Sequence, residues 1–269
     1  MSNLHDDPAA VSPAGDGPPA GPLHLRSRVG IAALAAGVAA GLLGWLLGEP
    51  IHARFAPPKF VNTASSTGGF LDPAEVYKLD MAKQRAQIRD ACLVFGAFGA
   101  ALGMAMGLAG GWARGTGRAS AWKGPVLGLA LGGIAAAAAT AIALPIYYRV
   151  HNPDTNDLAV GLMLQVAISA AVGAAGGTAF GVGHGRRDVV ARAAMGGLLG
   201  ACAGAMAYEL LGAIAFPLDE TSNPISLTSR TRLLGRLAVA TLASAGLAWG
   251  VLDRRAESDP IPGALAHSS

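Results

Sequence analysis

Charge is scarce in this chain: Asp, Glu, Lys and Arg make up 14% of its 269 residues, against about 25% in an ordinary soluble domain. So low a share leaves too little polar surface to enclose a water-soluble core of this size. Aromatic residues are also few, at 6%, so the apolar segments are built from small side chains. There are two cysteines, Cys92 and Cys202, both within apolar segments, which excludes a disulfide framework or a Cys-rich metal centre. Histidines are isolated, and no His-Glu-x-x-His or Cys-x-x-Cys spacing occurs, so no metal or other cofactor is expected. Gly-x-Ser-x-Gly and Gly-Lys-Ser/Thr endings are missing too, which removes the common serine-nucleophile and phosphate-loop chemistries. The expectation is a protein that is not an enzyme and has no catalytic residues.

What the chain does have is glycine, 38 residues of it, and long apolar runs. Six runs, at 29–48, 91–112, 125–148, 158–182, 190–216 and 233–252, each approach the roughly 20 residues that a helix needs to cross the hydrocarbon of a bilayer. The fold expected is all-α: a polytopic membrane bundle of about six transmembrane helices, arranged as three hairpins and packed through small residues. Around it, 1–24 and 256–269 read as disordered tails of Pro, Gly, Ala and Ser, with 25–255 as the transmembrane domain. Between the first two runs lies a connection over 49–90. Its second half opens on Asp72-Pro73-Ala74-Glu75, an N-cap, a first-turn proline and a first-turn acid, which predicts a helix leading into the second span. Residues 56–69, with Pro57-Pro58 and Ser65-Ser66-Thr67-Gly68-Gly69, read as a mobile loop.

The net charge of +3 comes from 20 basic residues scattered among the loops, which makes them topology signals and excludes a nucleic-acid partner. They divide evenly between the two sides. The tight turns at 113–124 and 183–188 carry Arg114, Arg118, Lys123, Arg186 and Arg187 with little acid, so both termini are expected in the cytoplasm. The Ala, Gly and Arg bias suits a bacterial plasma membrane.

Glycine recurs every fourth residue within the runs. One row is Gly99, Gly103, Gly107; another is Gly124, Gly128, Gly132; a third is Gly177, Gly181, Gly185; a fourth is Gly196, Gly200, Gly204. Residues four apart share a helix face, so each row is a groove that another helix can enter closely, within this chain, in a homo-oligomer or in a membrane-protein partner.

Polar groups inside the runs are the candidate site. Glu209, eight residues before Pro217, lies ~12 Å below the outer boundary, and Gln165 lies ~10 Å from it, at about 1.5 Å of rise per residue. Arg236 can reach a similar depth, and the hairpin of the last two runs makes it the expected partner of Glu209. An unpaired charge at that depth is costly, so Glu209 should be paired, protonated or wetted. One reading is a buried pair that fixes helix register; the other is a proton or small-solute site of a transporter. Asn152-Pro153 and Asn223-Pro224 lie on one side and lack a following Ala, so the paired Asn-Pro-Ala signature of water channels is not met. Nothing in the sequence names a substrate.

Overall fold

Each apolar run becomes one long helix in the computed structural model, which describes residues 22–55, 73–114, 122–150, 158–216, 226 and 228–252. The helices are α1 (Pro22–Phe55), α2 (Pro73–Arg114), α3 (Lys123–Val150), α4 (Leu158–His184), α5 (Arg187–Ala215) and α6 (Ser229–Leu252). All six are long and apolar enough to cross a membrane, and no strand occurs among the described residues. The chain is therefore an all-helical, multi-pass bundle suited to a lipid bilayer. Of the two expected tails, 1–21 and 256–269 lie outside the described residues, while 22–24 belong to the first turn of α1. The loop expected over 56–69 also lies outside them.

α1 and α2 extend furthest beyond their apolar runs, α2 as the capping sequence at 72–75 predicts. α2 begins at Pro73 and continues without a break to Arg114, over 42 residues. At 1.5 Å per residue that is about 63 Å, twice the hydrocarbon thickness, so its first turns, exposed from Ala74 to Asp80, stand clear of the spanning part. α1 was expected to stop at Gly48 but continues through Pro50 to Phe55. Proline removes one backbone donor and crowds the preceding turn. The extra turns survive because Glu49 and His52 are held by side chains of α6 and α2, described below.

Successive helices run antiparallel, and α1, α2, α4, α5 and α6 form a closed ring with α3 on the flank of α2 and α4. We use "proximal" for the end where α1 starts and α6 finishes, and "distal" for the other. The ring closes tightly because glycines face backbones. A Cβ added at Gly99, Gly103 or Gly107 would collide with the backbone of Gly132, Gly128 or Gly124, respectively, so α2 and α3 touch main chain to main chain. Gly196, Gly200 and Gly204 of α5 meet the backbone at Gly246, Leu242 and Val239 of α6, and Gly177 and Gly181 of α4 meet Ala193 and Val190 of α5. Such close approach maximises van der Waals contact where no hydrophobic effect separates helix from lipid. At the proximal end three helices converge, with Gly183 of α4 against Gly107 and Gly124.

Gly185 departs from the row assigned to it. α4 ends at His184, and Gly185 sits beyond it with φ 74°, its N–H reaching the Gly181 and Val182 carbonyls. This is the left-handed closing residue of a helix, for which glycine is favoured. The row that meets α5 is instead Gly173, Gly177 and Gly181, since Gly173 faces Gly197.

The interior is filled by Leu102, Met106, Phe180 and Leu247, all fully buried. Outside, Ile134, Ile142, Met163 and Ile214 are each at least 66% exposed. Large apolar side chains presented outward in this number suit contact with acyl chains. Trp112, Trp122 and Trp249 are exposed at the proximal end, as interfacial aromatics are.

Candidate functional site

In the distal half the backbones no longer touch everywhere, and long polar side chains occupy the space between α1, α2 and α6. Three residues of α1 on one face, Trp45, Glu49 and His52, all reach neighbouring helices. Trp45 donates its indole N–H to the Ser229 carbonyl and hydroxyl at 3.2 and 3.1 Å. Glu49 receives both Nε and Nη2 of Arg232, each at 2.8 Å, a two-pronged pair whose planar geometry suits guanidinium and carboxylate. Arg232 also donates to the Ser226 carbonyl at 2.8 Å. His52 Nδ1 lies 2.6 Å from Oδ2 of Asp90 on α2, a carboxylate with no exposed surface. The other Asp90 oxygen, Oδ1, is buried without a hydrogen-bond partner.

One turn further into α6 lies Arg236, only 7% exposed. Counted from Ser229, it is about 10 Å along the helix. Its Nη1 donates to the Gly44 carbonyl of α1 at 2.6 Å, and its guanidinium carbon sits 5.5 Å from the Phe98 ring centre. A cation over an aromatic face is attracted by the ring quadrupole. The absence of side chains on α1 makes room for it: a Cβ at Gly48 would stand 2.9 to 3.0 Å from the guanidinium. The charges acting on Arg236 are Glu49, Arg232 and Asp90.

The pairing expected of Arg236 with Glu209 is therefore not made. α6 packs against α1 as well as α5, and the glycine face of α1 draws the guanidinium away from α5. On α5 it is Tyr208, 2% exposed, that turns inward and bonds through its hydroxyl to the Ser226 hydroxyl. Glu209, about 100° further round the helix, is only partly buried.

Gln165 and Arg236 do come together. Both line a cavity of about 50 Å³ in the distal half, with Ser169, Tyr208, Ser226, Thr231 and Arg232 as its other polar walls. Val94, Phe95, Phe98, Ile168, Val172 and Val239 form the apolar walls, and Glu209 is not among the lining residues. A cavity of this size holds about three waters or a group of a few heavy atoms. Drug-sized ligands need several times as much space. Among the described residues no three His, Cys, Asp or Glu side chains lie close enough to share a metal ion.

The sequence reading missed Glu49, His52, Asp90 and Arg232. A signal was present: Trp45, Glu49 and His52 are spaced to share a helix face, but the hydropathy break at Glu49-Pro50 placed the acid and the histidine in a loop. Asp90 fell at the edge of the second run for the same reason. No protein-family model, no curated protein and no solved structure matches this chain.

Proposed function

We propose that the protein is a non-catalytic structural or interaction component of a membrane: a rigid six-helix scaffold locked by glycine contacts and fastened distally by a charged clasp. The observation that carries this reading is a pair of inter-helix ion pairs, with Glu49 held on both oxygens by Arg232 and Asp90 by His52. Charges paired in this way across three helices fix their register. With the basic tight turns on the inner side, both termini face the cytoplasm, in the setting of a bacterial plasma membrane. The extension of α2, with Val76 and Tyr77 exposed at 40 and 66%, then stands outside as a surface for a protein partner or a second copy.

A second reading, small-solute or proton-coupled transport, is favoured by the cavity at Gln165 and Arg236. The two readings separate in one experiment. In a variant with Cys92 and Cys202 replaced by Ala, single cysteines are placed at Gln165, Glu209 and Arg236 and exposed to a membrane-impermeant thiol reagent from each side. The scaffold reading expects slow or no labelling at Gln165 and Arg236 in folded protein. Rapid labelling of both from the outside overturns it and supports a water-filled path.

A further inference from the structure

The cavity has a chemical bias that neither reading uses. Arg236 is buried inside the spanning part of α6, yet no carboxylate among the described residues lies within ion-pair distance of it. One hydrogen bond, from Nη1 to the Gly44 carbonyl, engages its guanidinium. A guanidinium has five N–H donors, so most of its donating capacity is unspent at a place where charge is expensive. Gln165 and Ser169 line the same cavity without making a hydrogen bond to the described residues, although Ser169 is only 6% exposed. Buried polar groups are paired in nearly all native proteins, with protein, water or a ligand. Buried Arg236 and Ser169 and half-buried Gln165 open on one small space, a donor set that suits negative charge.

We propose that this cavity is a binding site for one small monovalent anion, a halide or a carboxylate of formate size, held by the Arg236 guanidinium, the Gln165 amide N–H and the Ser169 hydroxyl. Size favours a small ion, since a space of about 50 Å³ matches a group of a few heavy atoms. Charge sets the valence: Arg232 also lines the cavity but is committed to Glu49, and Asp90 acts on Arg236 as well, so a second negative charge on the ligand has no further cation to offset it. Phe98 stands beside the guanidinium, and the N–H groups not spent on the Gly44 carbonyl are those that would meet an anion. Occupancy does not depend on whether the protein moves the anion, so the site stands apart from the scaffold and transport readings.

The test uses the full chain in detergent or nanodiscs, with thermal unfolding followed in sodium gluconate and gluconate replaced stepwise by chloride or by formate at constant ionic strength. Gluconate is too large for the cavity and serves as the blank. The expected result is a saturable rise of the midpoint with chloride or formate, by ligand linkage, and no rise with sulfate. Gln165→Leu and Ser169→Ala, neither of which belongs to the clasp, should keep the fold and weaken the half-saturating concentration roughly ten-fold, the size expected for a hydrogen bond to a charged ligand. Arg236→Gln should abolish the response, but it also loses the Gly44 bond and is read only beside the other two. Identical curves in gluconate, chloride and formate would mean that the cavity holds water alone and would overturn the proposal. A response that Gln165→Leu and Ser169→Ala leave unchanged would place the anion elsewhere and overturn it as well.

Discussion

The two halves of the bundle solve the same packing problem in opposite ways. Proximally, helices are held largely by what the side chains omit: Gly107, Gly124 and Gly183 bring three backbones into contact. Distally the helices are bridged by long side chains, with Arg232 and Arg236 of α6 spanning to Glu49 and Gly44 of α1. Contact between backbones tolerates no added atom, because interiors are close-packed and small-to-large changes displace whole helices. Bridges between charged side chains tolerate change of size but not the loss of one partner. The comparison teaches that one half of the bundle is packed through backbone contact and the other through pairs of polar side chains.

The comparison can be broken most severely at Gly103. Gly103→Val drives a side chain into the Gly128 backbone and should cost about 3 kcal/mol or more, seen as loss of the monodisperse peak in detergent on mild heating. Next comes the clasp: Arg232→Met leaves Glu49, which is 28% exposed at its side chain, without its guanidinium. About 2 kcal/mol is expected, less than for a fully buried pair. Adding Glu49→Gln should recover a good part of that loss in a double-mutant cycle, and a purely additive result would show that the pair contributes nothing. Smaller still is Gln165→Leu, which removes an amide that makes no hydrogen bond to the described residues; stability measured in gluconate should move by under ~1 kcal/mol. Smallest is Gly30→Ala, where an added methyl meets nothing within 4 Å, and the change should be neutral or stabilising by up to about 1 kcal/mol through helix propensity. If Gly30→Ala and Gly103→Val behaved alike, the contrast between open and packed glycines would fail.

Much of the architecture could be read from the chain. Length and hydropathy alone define the helices, because a bilayer demands about 20 apolar residues per crossing whatever packs beside them. The start of α2 at Asp72-Pro73 was legible for a local reason, since capping chemistry needs only adjacent residues. The site was legible in part. Gln165 and Arg236 were found because polar groups stand out in an apolar run, and equal depth from the distal end put them in one layer. Glu209 met the same criterion, but depth says nothing about the direction in which a helix faces. Glu49, His52 and Asp90 were lost because a proline and a cluster of charges mimic the end of a span.

Composition and periodicity by themselves determined that this chain is a six-helix membrane bundle, that its helices meet through glycine and that a polar layer lies in its distal half. Those properties depend on the solvent and on residues three or four apart. Only the tertiary structure decided that Arg236 turns to Gly44 and Phe98 instead of Glu209, that Glu49 belongs to Arg232, and that Gln165 and Ser169 share a cavity with Arg236. Those choices depend on what stands beside each side chain at its own level, such as Gly48 of α1 against the Arg236 guanidinium, and α1 lies far from α6 in the sequence.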